Sequence, residues 1–170
     1  MITPAHAQMM AAYNTWQNES LYGAASGLDD AARRADRGAF FGSIHRTLNH
    51  VLWGDRIWLS RFTDCAAPEG GIPASVDCYE DWDALCAARR ETDAFLRDWT
   101  GALTAADLEG DLTWFSGAMG RDVTKPRWVL VAHLFNHQTH HRGQVHAMLT
   151  AAGAKPDDTD IPFMPDRFHS

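Results

Sequence analysis

Four long segments of the chain carry apolar residues at the three- and four-residue spacing that amphipathic α-helices show. They cover residues 3–25, 38–62, 78–99 and 124–152. Helices of this length joined by irregular loops favour an all-α fold, an antiparallel four-helix bundle that forms one domain over residues 1–170. Before the last helix, short stretches at 112–115 and 121–123 surround a glycine-containing turn, which predicts a short β-hairpin.

Capping residues mark the predicted ends of these helices. Thr3 followed by Pro4 is typical of an N-cap and a first helical residue. Asp77 and Thr124 stand at the N-cap positions of the third and fourth helices, and Gly101 follows the third. These residues predict where the polypeptide enters and leaves the helices.

Composition excludes several classes of partner. Acidic residues outnumber basic ones by 22 to 15, and no basic stretch is available to replace the counterions of a nucleic acid. The longest strongly apolar run lies at 128–134, well short of the about 20 residues that cross a bilayer. The N-terminus lacks the features of a secretion signal, and three cysteines without a C-x-x-C pair are typical of free thiols. We therefore predict a cytoplasmic protein that binds neither nucleic acid nor membranes.

Histidine is the residue type that says most about function, because several of the 9 histidines cluster on the fourth helix. At about 100° per residue, His137 and His141 lie one turn apart on the apolar face of that helix. His133 and His140 lie towards one edge of the face, and the pattern assigns neither a role. The spacing H-x-x-x-H allows two imidazoles to bind one metal ion.

His50 on the second helix is the candidate for a third metal ligand. Thr47 and Gly54 lie one turn before and after it, and Ser43 lies a further turn back. These small side chains leave room beside the imidazole for an ion and a bound molecule. A bundle brings the second and fourth helices together, so the sequence predicts a three-histidine metal site. The alternative is that these histidines are ordinary hydrogen-bonded core residues.

Residue content excludes several other kinds of active site. No glutamate stands three residues before a histidine, as the di-iron sites of ferritin-like bundles require. The chain has no H-E-x-x-H motif and no glycine-rich phosphate-binding motif. No G-x-S-x-G motif marks a serine nucleophile.

Polar residues near the predicted ligands are candidates to orient them: Asn49, Asp55, Asn136 and Gln144. Gln144 is the strongest of these, because it follows His141 by three residues on the same helix face. Trp53 and Trp58 can wall a substrate pocket, although aromatic residues at helical spacing are more often core. Arg142 is interpreted as a solvent-exposed residue, with binding of a substrate carboxylate as the alternative.

Two segments resemble the signature sequences of the DinB family of metalloproteins. The second helix reads L-N-H-V-L-W-G-D at 48–55 with W-L at 58–59, and the fourth reads N-H-Q-T-H-H-R-G-Q at 136–144. The resemblance implies a four-helix bundle in which His50, His137 and His141 hold a divalent metal, the same three residues that helix geometry selects. It also implies a homodimer.

The predicted site is typical of a catalytic metal centre. Three neutral imidazoles leave a coordination position open, and they favour Zn²⁺ first, with Ni²⁺, Fe²⁺ or Co²⁺ as alternatives. Relatives in the family include transferases that use low-molecular-weight thiols. The resemblance therefore implies a small-molecule substrate and a metal-dependent S-transferase or hydrolase. The alternative is a non-catalytic metal-binding or stress-response interaction module.

Overall fold

Five α-helices and a β-hairpin make up the computed structural model, which describes residues 1–168. In chain order they are α1 (Pro4–Ser26), α2 (Asp30–Arg34), α3 (Ile44–Phe62), α4 (Trp82–Ala102), β1 (Asp111–Ser116), β2 (Arg121–Pro126) and α5 (Arg127–Ala151). Short 3₁₀ turns lie at Ile72–Asp77, Ala106–Leu108, Ile161–Phe163 and Asp166–Phe168. The fold is thus mostly helical, with a small two-stranded sheet. Within residues 1–168, no helix combines the length and apolar character that crossing a membrane requires.

The long helices α1, α3, α4 and α5 pack around a shared core, and α3 lies between α4 and α5. One apolar cluster contains Ala7 and Leu134, which lie in the first halves of α1 and α5. The same cluster contains Leu59 and Leu96, which lie in the second halves of α3 and α4. A second cluster joins the opposite halves of the same helices. Therefore α1 and α5 run in one direction, and α3 and α4 run in the other.

The predicted antiparallel alternation is wrong for the neighbouring helices α3 and α4, which run parallel. Two helices that follow each other in the chain can be parallel only if their connection crosses the length of the fold. Residues 63–81 make this crossing and include the 3₁₀ turn Ile72–Asp77, which packs on α3. The crossover thus places an irregular segment beside the middle of α3.

The start of α1 agrees with the prediction, and the start of α3 does not. The Thr3 side chain accepts a hydrogen bond from the backbone N–H of His6, and Pro4 is the first helical residue. Helix α3 begins at Ile44 after the N-cap Ser43, six residues later than predicted. The delay arises at Gly42, whose φ of 80° belongs to the left-handed region and interrupts a right-handed helix.

The starts of α4 and α5 also differ from the prediction. The Asp81 carboxylate, rather than that of Asp77, accepts the backbone N–H of Ala84 and caps α4. Thr124 is not a cap, because it lies in β2 and its hydroxyl hydrogen-bonds to that of Thr113. Helix α5 instead begins after Pro126 without a side-chain cap.

The predicted hairpin is confirmed and is longer than expected. Strands β1 and β2 pair in antiparallel register, with Trp114 opposite Val123. The half-buried indole of Trp114 lies edge-on to Trp58 of α3, with ring centroids 5.4 Å apart. The hairpin therefore folds back over the second half of α3.

Candidate metal centre

His50, His137 and His141 converge where α3 faces α5. One ring nitrogen from each histidine lies within 4.8 Å of those of the other two. The Nε2 atoms of His50 and His137 are 3.2 Å apart. The ring of His141 stands edge-on to both others, with centroid distances of 4.6 Å to His137 and 4.8 Å to His50.

The separation of the nitrogen atoms suits a tetrahedral metal ion. Zinc–nitrogen bonds of about 2.0–2.1 Å at tetrahedral angles place two ligand nitrogens about 3.4 Å apart. The His50–His137 distance of 3.2 Å is close to that value. Within residues 1–168, the buried Nδ1 of His137 has no hydrogen-bond partner. A single hydrogen bond between two histidines does not explain why a third imidazole faces the same point, whereas a shared cation does.

Ser75 fixes the protonation of His50. The Ser75 hydroxyl donates to the backbone carbonyl of Ile72 at 2.6 Å, and its Oγ lies 2.7 Å from Nδ1 of His50. Since the hydroxyl proton is used on the carbonyl, Oγ accepts the proton of Nδ1. The lone pair of His50 therefore resides on Nε2, which faces His137, and this is the tautomer that a metal ligand needs.

Gln144 holds His141 in the same way. Its side-chain Oε1 lies 2.8 Å from Nδ1 of His141, one turn along α5. An amide oxygen only accepts, so Nδ1 carries the proton and Nε2 carries the lone pair. Two of the three imidazoles are thus oriented by an outer hydrogen bond before any ion arrives.

The other polar candidates have different roles. Among the described residues, Asn49, Asp55 and Asn136 make no hydrogen bond to the three histidines. Asn49 bonds to the backbone of Tyr79 at the end of the crossover segment. Asp55 forms a buried ion pair with Arg89 at 2.5 Å. Asn136 is exposed on the outer face of α5.

Small and aromatic neighbours shape the space around the imidazoles. A Cβ at Gly54 would lie 2.8 Å from Cε1 of His137, so a glycine is needed for the imidazole to occupy its place. Phe41 lies in the loop before α3, and its ring centroid is 4.0 Å from that of His50 and 5.4 Å from that of His141. These contacts limit the movement of the three rings.

Burial keeps the three imidazoles neutral. It lowers the pKa of His50 to about 4 and, together with the neighbouring histidines, the pKa of His137 to about 3. Burial also lowers the pKa of His141, although its hydrogen bond to Gln144 acts in the opposite direction. At neutral pH the lone pairs are therefore available, and protons compete with a metal ion only in acid.

The lowered pKa values predict that acid destabilises the metal-free protein. Between about pH 6.5 and pH 4 the unfolded chain binds protons at these histidines and the folded chain does not, so the free energy of unfolding falls as pH falls. Urea unfolding with a chelator present, at pH 7 and pH 5, measures the difference. His137→Gln, which removes one titrating ring, should reduce it. An unchanged difference in that variant would contradict the prediction.

Loss of the Ser75 hydroxyl should weaken metal binding without unfolding the protein. In Ser75→Ala, Nδ1 of His50 loses its acceptor, so the ring can rotate or change tautomer. We expect zinc affinity to fall by about 10- to 100-fold, as is usual when a ligand loses its outer hydrogen bond. Competition with a chromophoric chelator measures the affinity. Ser60→Ala removes a hydroxyl that bonds within α3 and should leave the affinity unchanged; equal losses in both variants would refute the role of Ser75.

Comparison with known proteins identifies the family. The model of the DinB family matches residues 1–167 of the chain. The chain belongs to the DinB family. The DinB protein of Bacillus subtilis (strain 168) is 26% identical over an alignment of 155 residues, and the match covers 87% of this chain and 87% of that protein. The crystal structure of a DinB-like protein from Bacillus cereus ATCC 10987 has the same fold, with a TM-score of 0.61 and 20% identity over 85% of this chain and 91% of that one.

A cleft of about 730 Å³ adjoins the histidines of this DinB-family protein. His50 and His137 form part of its wall, and His141 does not line it. The remainder of the wall comes from α3, the crossover segment, the hairpin and α5: Trp53, Gly54, Ile57, Trp58, Arg61, Gly70, Gly71, Ile72, Pro73, Trp114, Ser116, Gly117, Ala118 and His133. Trp53 and Trp58 thus line a cavity that a small molecule can reach.

Arg142 of the DinB-family signature is buried, so its interpretation as a solvent-exposed residue is wrong. Its guanidinium donates to the side chain of Asn14 on α1 and to the hydroxyl of Thr139. Burial lowers the pKa of Arg142 to about 10. The side chain joins α5 to α1 behind the histidines, and it is not on the cleft wall.

Sequence reasoning did not identify Phe41, Arg61, Ser75 or Trp114 as residues of the site. Phe41 was expected inside a helix, and Ser75 lies in a loop whose path depends on the crossover. Only Arg61 carried a usable signal, since it lies eleven residues after His50 and three helical turns bring it back to the same face. Both His133 and His140 are exposed, but only His133 lies on the cleft wall, where its ring centroid is 5.1 Å from that of Trp58.

Proposed function

We propose that this DinB-family protein is a divalent-metal-dependent enzyme in which His50, His137 and His141 hold the ion inside a four-helix bundle. The observation that carries the proposal is the convergence of three neutral ring nitrogens within 4.8 Å. The hydrogen bonds of Ser75 and Gln144 support it, because each holds the proton of its histidine on Nδ1 and leaves Nε2 with a free lone pair.

The donor set limits the choice of metal. Imidazole nitrogens suit Zn²⁺, Ni²⁺, Fe²⁺ and Co²⁺ better than Mg²⁺ or Ca²⁺, which prefer oxygen ligands. We propose Zn²⁺ as the most suitable ion for three histidines. When bound, such an ion supplies a Lewis acid that lowers the pKa of a water or thiol in its open coordination position.

The residues around the cleft determine what can approach that position. His50 and His137 lie on the cleft wall, so a molecule in the cleft can reach the side of the site that the protein leaves open. Trp53 and Trp58 supply apolar surface that binds an organic substrate and excludes water. We propose nucleophilic chemistry on a small molecule, either S-transfer from a low-molecular-weight thiol or hydrolysis. A homodimer and a cytoplasmic location stay predictions.

Metal analysis combined with an activity assay tests the proposal. The purified protein is stripped with a chelator, reconstituted with Zn²⁺ and assayed with a panel of small thiols plus monochlorobimane, and with ester and amide substrates. We expect one ion per chain and turnover that depends on it. Bound metal without turnover across the panel would favour the non-catalytic metal-binding module. Failure to bind any transition metal would show that the histidines are only packed.

A further inference from the structure

Arg61 places a cation on the cleft wall at a distance from the histidines. The Cα atom of Arg61 lies eleven residues after that of His50 on α3, which is three helical turns and about 16 Å along the helix axis. Its guanidinium carbon is 4.3 Å from the ring centroid of Trp58 and 5.6 Å from that of Trp114. The cation is therefore held between α3 and the hairpin by two indole rings.

No acidic group neutralises this cation. Within residues 1–168, no carboxylate lies within 4.0 Å of the Arg61 guanidinium, and the side chain forms no hydrogen bond. By contrast, Arg34, Arg46 and Arg89 each form an ion pair. Burial lowers the pKa of Arg61, because part of its hydration is lost without a counter-charge.

The other described residues of the cleft wall carry no permanent charge. The lining residues include no aspartate or glutamate, and Arg61 is the one side chain among them, within the described part of the chain, with a permanent charge. A mostly apolar cleft with a single permanent positive charge favours an anion, because a cationic or neutral ligand leaves that charge uncompensated.

We propose that Arg61 binds the carboxylate of an organic acid, which lies in the cleft with its apolar body against the remaining apolar wall at Trp53, Ile57 and Ile72. The planar guanidinium pairs with a carboxylate through two parallel hydrogen bonds. The proposal rests on the proposed function in one respect, since the opposite end of the acid is the part presented to the three histidines. The substrate class is thus an elongated organic acid with an apolar middle section.

Matched acids and amides test the proposal in the chelated, metal-free protein. The probes are phenylalkanoates from phenylacetate to 6-phenylhexanoate, each compared with its uncharged amide by isothermal titration calorimetry. For at least one chain length, wild-type protein should bind the acid about tenfold or more tightly than the amide, because only the acid pairs with the guanidinium. No preference for the acid at any chain length would overturn the proposal.

Substitution of Arg61 tests whether this residue causes the preference for the acid over the amide. Arg61→Met keeps the apolar stem between the two indoles and removes the charge, so the acid should bind no better than the amide. Arg61→Gln serves the same purpose if the methionine variant does not fold. Arg90→Met makes the same change on the exposed face of α4 and should keep the preference. A preference that persists in the folded Arg61 variant would refute the role of Arg61. Because no metal is present, the result does not depend on whether the histidines bind an ion.

Discussion

His137→Ala is expected to abolish stoichiometric zinc binding and all metal-dependent turnover. His137 is one of the three proposed ligands: its Nε2 lies 3.2 Å from that of His50, and its ring centroid lies 4.6 Å from that of His141. Without it, two imidazoles remain, and a tetrahedral ion held by two protein ligands is weakly bound. We expect the loss of affinity to exceed the about 10- to 100-fold that removal of an outer hydrogen bond causes.

His140→Ala is the matched control for this prediction. His140 lies on the same helix, and its ring is 4.8 Å from that of His141, but it is exposed and outside the group of three. Zinc titration against a chromophoric chelator should show wild-type affinity in His140→Ala and affinity lowered by more than about 100-fold in His137→Ala. Circular dichroism of the metal-free proteins checks that both variants are folded. Full zinc occupancy in His137→Ala would refute the three-histidine site.

Helical periodicity predicted the long helices but not how they run relative to one another. The apolar stripes of α1, α3, α4 and α5 are local features, so they can be recognised without knowledge of the fold. The direction of α4 depends on residues 63–81, an irregular segment in which no local pattern distinguishes a short return from a crossover. The observed parallel pair of α3 and α4 is therefore a tertiary property.

The same crossover explains why part of the site was missed. His137 and His141 share a helix face, and His50 could be matched with them by helical geometry alone. Ser75, in contrast, reaches Nδ1 of His50 only because the crossover segment passes beside the middle of α3. Without the correct path of residues 63–81, the contact between Ser75 and His50 cannot be predicted. Gln144 could be identified because it lies on the same helix as the histidine that it contacts.

Asp55 shows that a residue predicted to orient the metal ligands can instead hold helices together. Its position five residues after His50 on the same predicted helix makes it a candidate to orient the metal ligands. The side chain is fully buried on the face of α3 that meets α4, where it pairs with Arg89. Arg89 also contacts Asp93 at 2.9 Å, and Asp93 accepts a hydrogen bond from Asn18 of α1 at 2.9 Å. This network joins α1, α3 and α4.

Arg89→Leu is expected to cause a large loss of stability. The side chains of Asp55 and Asp93 are 0% and 6% exposed, so removal of the guanidinium leaves two buried carboxylates without their ion-pair partner. Breaking a buried ion pair in this way typically costs about 3–5 kcal/mol. Urea unfolding at pH 7.5 measures the loss. Arg90→Leu changes the neighbouring, exposed arginine and should alter the free energy of unfolding by less than about 0.5 kcal/mol.

The loss of unfolding free energy in Arg89→Leu, relative to wild-type protein, should be smaller at lower pH. Burial raises the pKa values of Asp55 and Asp93, and Arg89 opposes that rise in the wild-type protein. Without Arg89 the folded state therefore takes up protons at a higher pH than the unfolded state does, and its relative stability increases as pH falls from 7.5 towards 5. A loss of unfolding free energy that is equal at both pH values would show that lost packing, rather than uncompensated charge, destabilises the variant.

Asp55→Asn in the Arg89→Leu background removes one of the two charges, so at pH 7.5 it should recover part of the lost stability if charge is the cause.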